Sequence, residues 1–189
     1  MPEYKFHRDE LISAQEMEEI LSKTDKLWLK ALVSFCYIFG SRITEILRLK
    51  KTDFHVEEGR LVVQISILKT RQPGPFGEGV AHFLKANLNT PFIGNITAWL
   101  EQVKNPEDLV WPLGRTWETA RGVAWKEMKK LSPKISPHFF RHTRLTKLAL
   151  KGATGPDLMD WAGWTDMRPA AKYLHIAGKL AEKFADKID

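Results

Sequence analysis

A mainly α-helical fold with one small antiparallel β-sheet (α+β) is predicted by three features of the sequence. Several stretches repeat apolar residues at helical spacing behind residues that start helices. One run, Arg-Leu-Val-Val-Gln-Ile-Ser-Ile-Leu at residues 60–68, is rich in β-branched residues and reads as a strand. Between Thr70 and Gly79, three glycines and two prolines exclude regular structure, and Val80 to Leu84 then returns as the second strand of a hairpin.

The elements follow in order. Residues 1–12 are polar and read as a linker or flexible N-terminal segment. Ser13 and Glu16 have capping-box spacing, so a first helix starts there and runs to about Lys23. An apolar helix covers Leu27 to Phe39 and stops at Gly40. Another helix is expected from Ser41 to Lys50, before the hairpin. Further helices are expected near 93–104, 115–131 and 137–151, with shorter ones near 156–162 and 167–174. A last, charged helix near 178–187 reads as a tail.

Composition bounds the rest. With 189 residues, 43% hydrophobic and 28% charged, the chain can bury a single ordinary core. Lysine and arginine total 29 against 23 acidic residues, a formal charge of +6 that favours an anionic partner without demanding one. Cys36 is the single cysteine, which excludes an internal disulfide framework and fits a reducing compartment. No run approaches the roughly 18 apolar residues of a membrane span. Met1 to Asp9 lacks the apolar core of a signal peptide, so a soluble, cytoplasmic protein is expected.

Four places carry candidate chemistry. In Ser136-Pro-His-Phe-Phe-Arg-His142, the serine and proline start a helix, and His138 and Arg141 fall three apart on its first turns. A histidine donor and an arginine fork at a helix N-terminus suit a phosphate, although a solvated arginine beside a structural histidine is the plainer alternative. His138 and His142 lie four apart, yet Phe139 stands where a zinc protease needs glutamate, and Arg141 would repel a cation; no metal is expected. In Gly40-Ser-Arg-Ile-Thr-Glu-Ile46, Arg42 and Glu45 share a helix face, where the acid either orients the arginine or forms an ordinary surface pair. Lys69 stands at the mouth of the glycine-rich loop, either reaching into a cleft or simply solvated. That loop lacks the Gly-Lys-Ser/Thr of a phosphate-binding P-loop. Of three tyrosines, Tyr4 falls in the N-terminal segment and Tyr37 in the apolar helix, leaving Tyr173 in a reactive setting; Trp164 before it is either a donor or core.

The order of these residues resembles the tyrosine recombinase, or phage integrase, family. Gly40 to Ile46 is similar to its Gly-x-Arg-x-Ser/Thr-Glu-Ile/Leu box, and Pro137 to Thr143 to its Pro-His-x-x-Arg-His-Thr box. Trp164 lies nine residues before Tyr173, the family's spacing, with tryptophan as in Cre-type members where many others have histidine. The resemblance implies the catalytic-domain fold of DNA breaking-rejoining enzymes over 13–177, with 178–189 as a C-terminal helix or tail. It finds no room for the usual N-terminal core-binding domain. It implies a site-specific recombinase working without metal, ATP or other cofactor through a 3′-phosphotyrosine intermediate. Arg42, Lys69, His138, Arg141 and Trp164 would be catalytic with Tyr173 as nucleophile, Lys69 being the general acid. Glu45 and His142 would support them, and His142 and His175, which also match family positions, read as structural more than catalytic. The implied partner is double-stranded DNA, bound by a monomer that assembles into a tetramer on synapsis. The implied setting is the nucleoid, in a host or in a virus, plasmid or other mobile element.

Two other readings stay open at this level. A type IB topoisomerase shares the catalytic set and would relax supercoils without joining two sites. A non-catalytic DNA-binding module is conceivable because residues 148–164 pass for a helix-turn-helix. A serine hydrolase has no Gly-x-Ser-x-Gly to support it.

Overall fold

The structure, a computed structural model, describes residues 11–67 and 80–185. Eight helices and a three-stranded sheet appear among them: α1 (Ala14–Ser22), α2 (Leu27–Phe39), α3 (Ile43–Ile46), β1 (Phe54–Glu57), β2 (Arg60–Ile67), β3 (Val80–Asn87), α4 (Ile93–Gln102), α5 (Trp117–Leu131), α6 (Pro137–Leu150), α7 (Gly155–Ala162) and α8 (Arg168–Ala185). The expected α+β class is the observed one.

Local chemistry explains most boundaries. The Ser13 hydroxyl accepts from the Glu16 N–H while the Glu16 carboxylate accepts from the Ser13 N–H, closing the expected capping box of α1. Gly40 ends α2 at φ +64°, a left-handed conformation that a residue with Cβ adopts at a cost. Ser136 caps α6 by accepting from the Phe139 N–H, with Pro137 in the first turn.

Three expectations need correction. The helix expected over Ser41–Lys50 is the short α3, and Arg42 is its N-cap instead of lying within it. The chain leaves the helix because Leu49 and Lys50 are drawn into extended pairing: the Leu49 carbonyl accepts from the Val110 N–H and Lys50 bridges to Leu109. The sheet has a third strand, β1, in the order β1-β2-β3, all antiparallel. Glu58 and Gly59, at φ +48° and +70°, form the two-residue turn that joins β1 to β2. Finally, the helices expected near 167–174 and 178–187 are one helix, α8. Gly178 does not interrupt it, because an isolated glycine costs a helix only about 1 kcal/mol and the neighbours Ile176, Ala177 and Leu180 are buried.

Two apolar clusters organise the packing. The larger joins α1, α2, the inner face of the sheet, α4, α5 and the first turn of α6, around Phe35, Phe39, Trp111, Phe139 and Phe140. A smaller one, Leu145, Leu158, Ala162 and Ala170, packs α7 and α8 onto the other side of α6, with Trp164 and Tyr173 at its edge. Helix α6 therefore stands between both clusters, with His138 exposed on its first turn and Arg141 and His142 buried just beyond it. No helix among the described residues is long and apolar enough to cross a membrane.

Candidate active site

The site is assembled around Arg141. Its side chain is 8% exposed, one turn into α6. One terminal nitrogen donates to the Gly40 carbonyl at 3.0 Å and the other to the Ala162 carbonyl at 3.0 Å. Gly40 is the C-cap of α2 and Ala162 the last residue of α7, so the guanidinium bridges the partially negative ends of two helices. Each carbonyl belongs to the set a helix leaves without an internal partner, which makes the bridge complementary on both sides. These two bonds use one hydrogen on each terminal nitrogen and leave the guanidinium with three further N–H donors.

Arg42 approaches from α3. Its guanidinium donates to one Glu45 oxygen at 2.8 Å and its backbone N–H to the other at 2.9 Å. Glu45 is 7% exposed, whereas the Arg42 side chain is 40% exposed, so a buried carboxylate anchors a cation that reaches outward. Arg42 and Arg141 are close enough to repel. Burial first, then Arg42, pushes the Arg141 guanidinium down to about 10, while Glu45 and Tyr173 act in the opposite direction. Arg141 still carries its charge at neutral pH. Two guanidinium groups against one carboxylate leave local positive charge for an incoming anion to neutralise.

The aromatic side closes the group. The Arg141 guanidinium lies 5.3 Å from the Trp164 ring centroid. Trp164 stacks on Tyr173 with centroids 5.8 Å apart and planes 18° apart, and His142 meets the same tyrosine at 5.8 Å and 44°. Burial pushes the Tyr173 phenol above its ordinary value, and Arg141 opposes that rise. His138 is exposed on the first turn of α6 and shares a cleft with Arg42. His142 is 4% exposed, while His175 is exposed on α8.

Thus Arg42, Glu45, His138, Arg141, His142, Trp164 and Tyr173, spread over more than 130 residues, converge. Lys69 lies outside the described residues. Among the described residues, no cluster of three or more His, Cys, Asp or Glu side chains could hold a metal ion.

Sequence reading missed the frame that holds Arg141. Trp161 donates its indole N–H to the Phe39 carbonyl at 2.8 Å, and its own carbonyl bonds to His82 Nε2 of β3 at 2.9 Å. The Arg144 guanidinium lies 4.6 Å from the Trp161 ring centroid. A Cβ at residue 40 would stand 2.8 Å from the Arg144 Cβ, so glycine there serves close approach as well as the left-handed turn. The one legible hint was Gly40 itself, directly before the Arg42 box.

The family model described as "Phage integrase family" matches residues 10–179. The tyrosine recombinase XerD of Vibrio cholerae serotype O1 is 26% identical over 178 residues, covering 88% of this chain and 57% of the relative. XerD of Proteus mirabilis is 29% identical over 176 residues, covering 89% and 53%. The chain spans about half the length of these curated relatives. Among solved structures, the XerA recombinase superposes with a TM-score of 0.66 at 16% identity, over 99% of this chain and 66% of that one. A lambda integrase dimer bound to a COC′ core site superposes with a TM-score of 0.55 at 15% identity, over 90% and 49%. At those identities the likeness is one of fold. The family match, which takes in both arginine boxes and Tyr173, shows that the chain belongs to the phage integrase family of tyrosine recombinases.

Proposed function

We propose that this chain is the strand-cleaving part of a site-specific DNA recombinase, with Tyr173 as nucleophile. The observation that carries the reading is the Arg141 bridge. A guanidinium clamped by two helix ends keeps its outward donors fixed beside Arg42 on one side and Tyr173 on the other. Fixed donors are what a phosphodiester needs as a fifth oxygen approaches phosphorus and negative charge concentrates. Arg42 and Arg141 would grip the non-bridging oxygens, with His138 and the Trp164 indole N–H adding donors. The Tyr173 oxygen would bond to phosphorus as the phenol loses its proton, with the neighbouring cationic field favouring the phenolate. The 5′ oxygen would leave with a proton from Lys69, in keeping with the family resemblance. The phosphotyrosyl ester conserves the energy of the broken bond, so neither ATP nor a metal is needed for rejoining.

Glu45 and His142 act through their neighbours, orienting Arg42 and packing on Tyr173. In the same reading, residues 13–177 belong to the catalytic unit, which α8 extends through the buried Leu180, and the chain beyond Leu180 docks on a neighbouring protomer. Monomers assemble as a tetramer on two DNA sites. Solved relatives named as bound to DNA, XerH on its difH substrate and the Tn1549 transposon integrase on transposon-end DNA, favour double-stranded DNA as the partner. The latter favours a mobile element as the source.

The test is incubation with nicked duplex DNA in EDTA, followed by denaturing electrophoresis. A covalent protein–DNA band is expected for the parent protein and none for Tyr173→Phe. An adduct that survives in Tyr173→Phe, or none in either, overturns the assignment. Excision or inversion between two sites then separates recombination from simple relaxation of supercoils.

A further inference from the structure

Helix α5 carries a surface that neither its packing nor the arginine cluster explains. It buries Ala120, Ala124, Met128 and Leu131. Beside that face, Trp117, Arg121, Trp125 and Lys129 recur every fourth residue and so stand one above another. The Arg121 guanidinium lies 5.0 Å from the Trp117 ring centroid, and the Lys129 ammonium 5.2 Å from that of Trp125. The two indoles are 41% and 43% exposed, although so large an apolar ring is ordinarily covered. Alternating aromatic rings and cations on an open surface are the means by which proteins hold unpaired bases.

Trp125 and Arg121 also wall a cleft of about 450 Å³, in the range of small-ligand sites. The other walls are Ile43, Thr44, Gly122 and Pro137, with Arg42 and His138 at the phosphate side. No carboxylate lines it among the described residues. A Cβ at Gly122 would meet nothing within 4 Å, so this wall of the cleft stays open. Flat apolar walls with a polar lining of Arg42, Arg121, His138 and the neutral Thr44 match a ligand that joins a ring to an anion. Arg42 and His138 belong at once to this cleft and to the cluster assigned to the scissile phosphate, which fixes where that anion sits.

We infer that this cleft is a nucleobase pocket, in which the base adjoining the phosphate held by Arg42 and His138 lies out of the duplex stack against the Trp125 ring. The inference rests on the recombinase reading for the identity of that phosphate. Unstacking at this position loosens the strand end that must move to a partner duplex after cleavage.

The test uses the full chain with 2′-deoxyadenosine 5′-monophosphate, 2-deoxyribose 5-phosphate and inorganic phosphate as probes. Binding is followed through the indole N–H signals of the seven tryptophans in a proton–nitrogen spectrum, with the Trp125 signal identified by its loss in Trp125→Phe. The nucleotide should shift the Trp125 signal saturably and bind roughly 5- to 150-fold more tightly than the base-free sugar phosphate, the effect of stacking one base. Trp125→Ala should remove that advantage, and Trp125→Phe should keep most of it with an unchanged fold by circular dichroism. Arg42→Gln should weaken the nucleotide and the sugar phosphate by the same factor. Equal binding of both probes, indifference to Trp125→Ala, indifference to Arg42→Gln, or a change in oligomeric state as the main effect of Trp125→Ala would each overturn the pocket. A covalent adduct at Tyr173 without base-dependent binding sinks the pocket alone. Base-dependent binding without an adduct sinks the recombinase reading and leaves a nucleotide site.

Discussion

Arg141 occupies a place where a charge is ordinarily costly, 8% exposed and beside a second guanidinium. Two carbonyl acceptors offset that cost, and a lysine cannot span both. Arg141→Lys should therefore lower stability by about 1–3 kcal/mol in urea unfolding, the range for buried polar groups left unmade. Arg42→Lys should change stability by less than about 1 kcal/mol, because its pair with Glu45 faces solvent on the arginine side. Both variants should lose roughly 10²- to 10³-fold in adduct formation, the scale of one missing transition-state donor. Equal stability losses would contradict the bridge. Tyr173 adds a pH test. Its folded value lies above the value near 10 of a free phenol, so below that value both folded and unfolded chains keep the proton. As pH rises through the folded value, the unfolded chain has already released its proton and stability is lost. Tyr173→Phe should flatten that alkaline loss in unfolding midpoints compared between pH 9 and pH 11. The side chains of this site were legible because three-residue spacings and box order are local properties. Its acceptors were not, since Gly40 and Ala162 contribute backbone oxygens that any residue type would supply.

Among the elements, caps and breakers behaved unequally as signals. Ser13 with Glu16, Ser136 with Pro137 and Gly40 marked real ends because each satisfies backbone groups within its own turn. The end of α3 was not legible, because it is set by Val110 and Leu109, far along the chain. The missed strand β1 has only a two-residue Glu58-Gly59 turn and four residues to announce it. Gly178 looked like a boundary and is an interior helical position held by tertiary burial. Two glycine substitutions separate these cases. Gly178→Ala should raise stability by about 0.5–1 kcal/mol, since its Cβ would meet nothing within 4 Å. Gly40→Ala should lower it by about 2 kcal/mol or more, adding a left-handed penalty of about 1–2 kcal/mol to a clash with Arg144. Chemical denaturation reads both, and a neutral Gly40→Ala would mean the α2–α6 contact is looser than the geometry states.

For the whole molecule, the division into a large and a small apolar cluster sets where motion is cheapest. Helix α8 carries Tyr173 and rests on the small cluster, while α2 runs through the large one. Amides of α8 should exchange with solvent at lower free energy than those of α2 in native-state hydrogen exchange; the reverse order would contradict this packing. The excess of cations should couple folding to anion binding. Phosphate at about ten times its dissociation constant should stabilise the fold by about 1.4 kcal/mol, visible as a higher Tm, and Arg42→Gln should abolish the increment. The two partners of Arg141 lie 101 and 21 residues from it in sequence. Neither α2 nor α7 alone can seat the guanidinium, so a nascent or partly unravelled chain leaves Arg141 without its two acceptors. The paired guanidinium groups therefore come into being only with the finished tertiary structure, and a copy that stalls short of it lacks them.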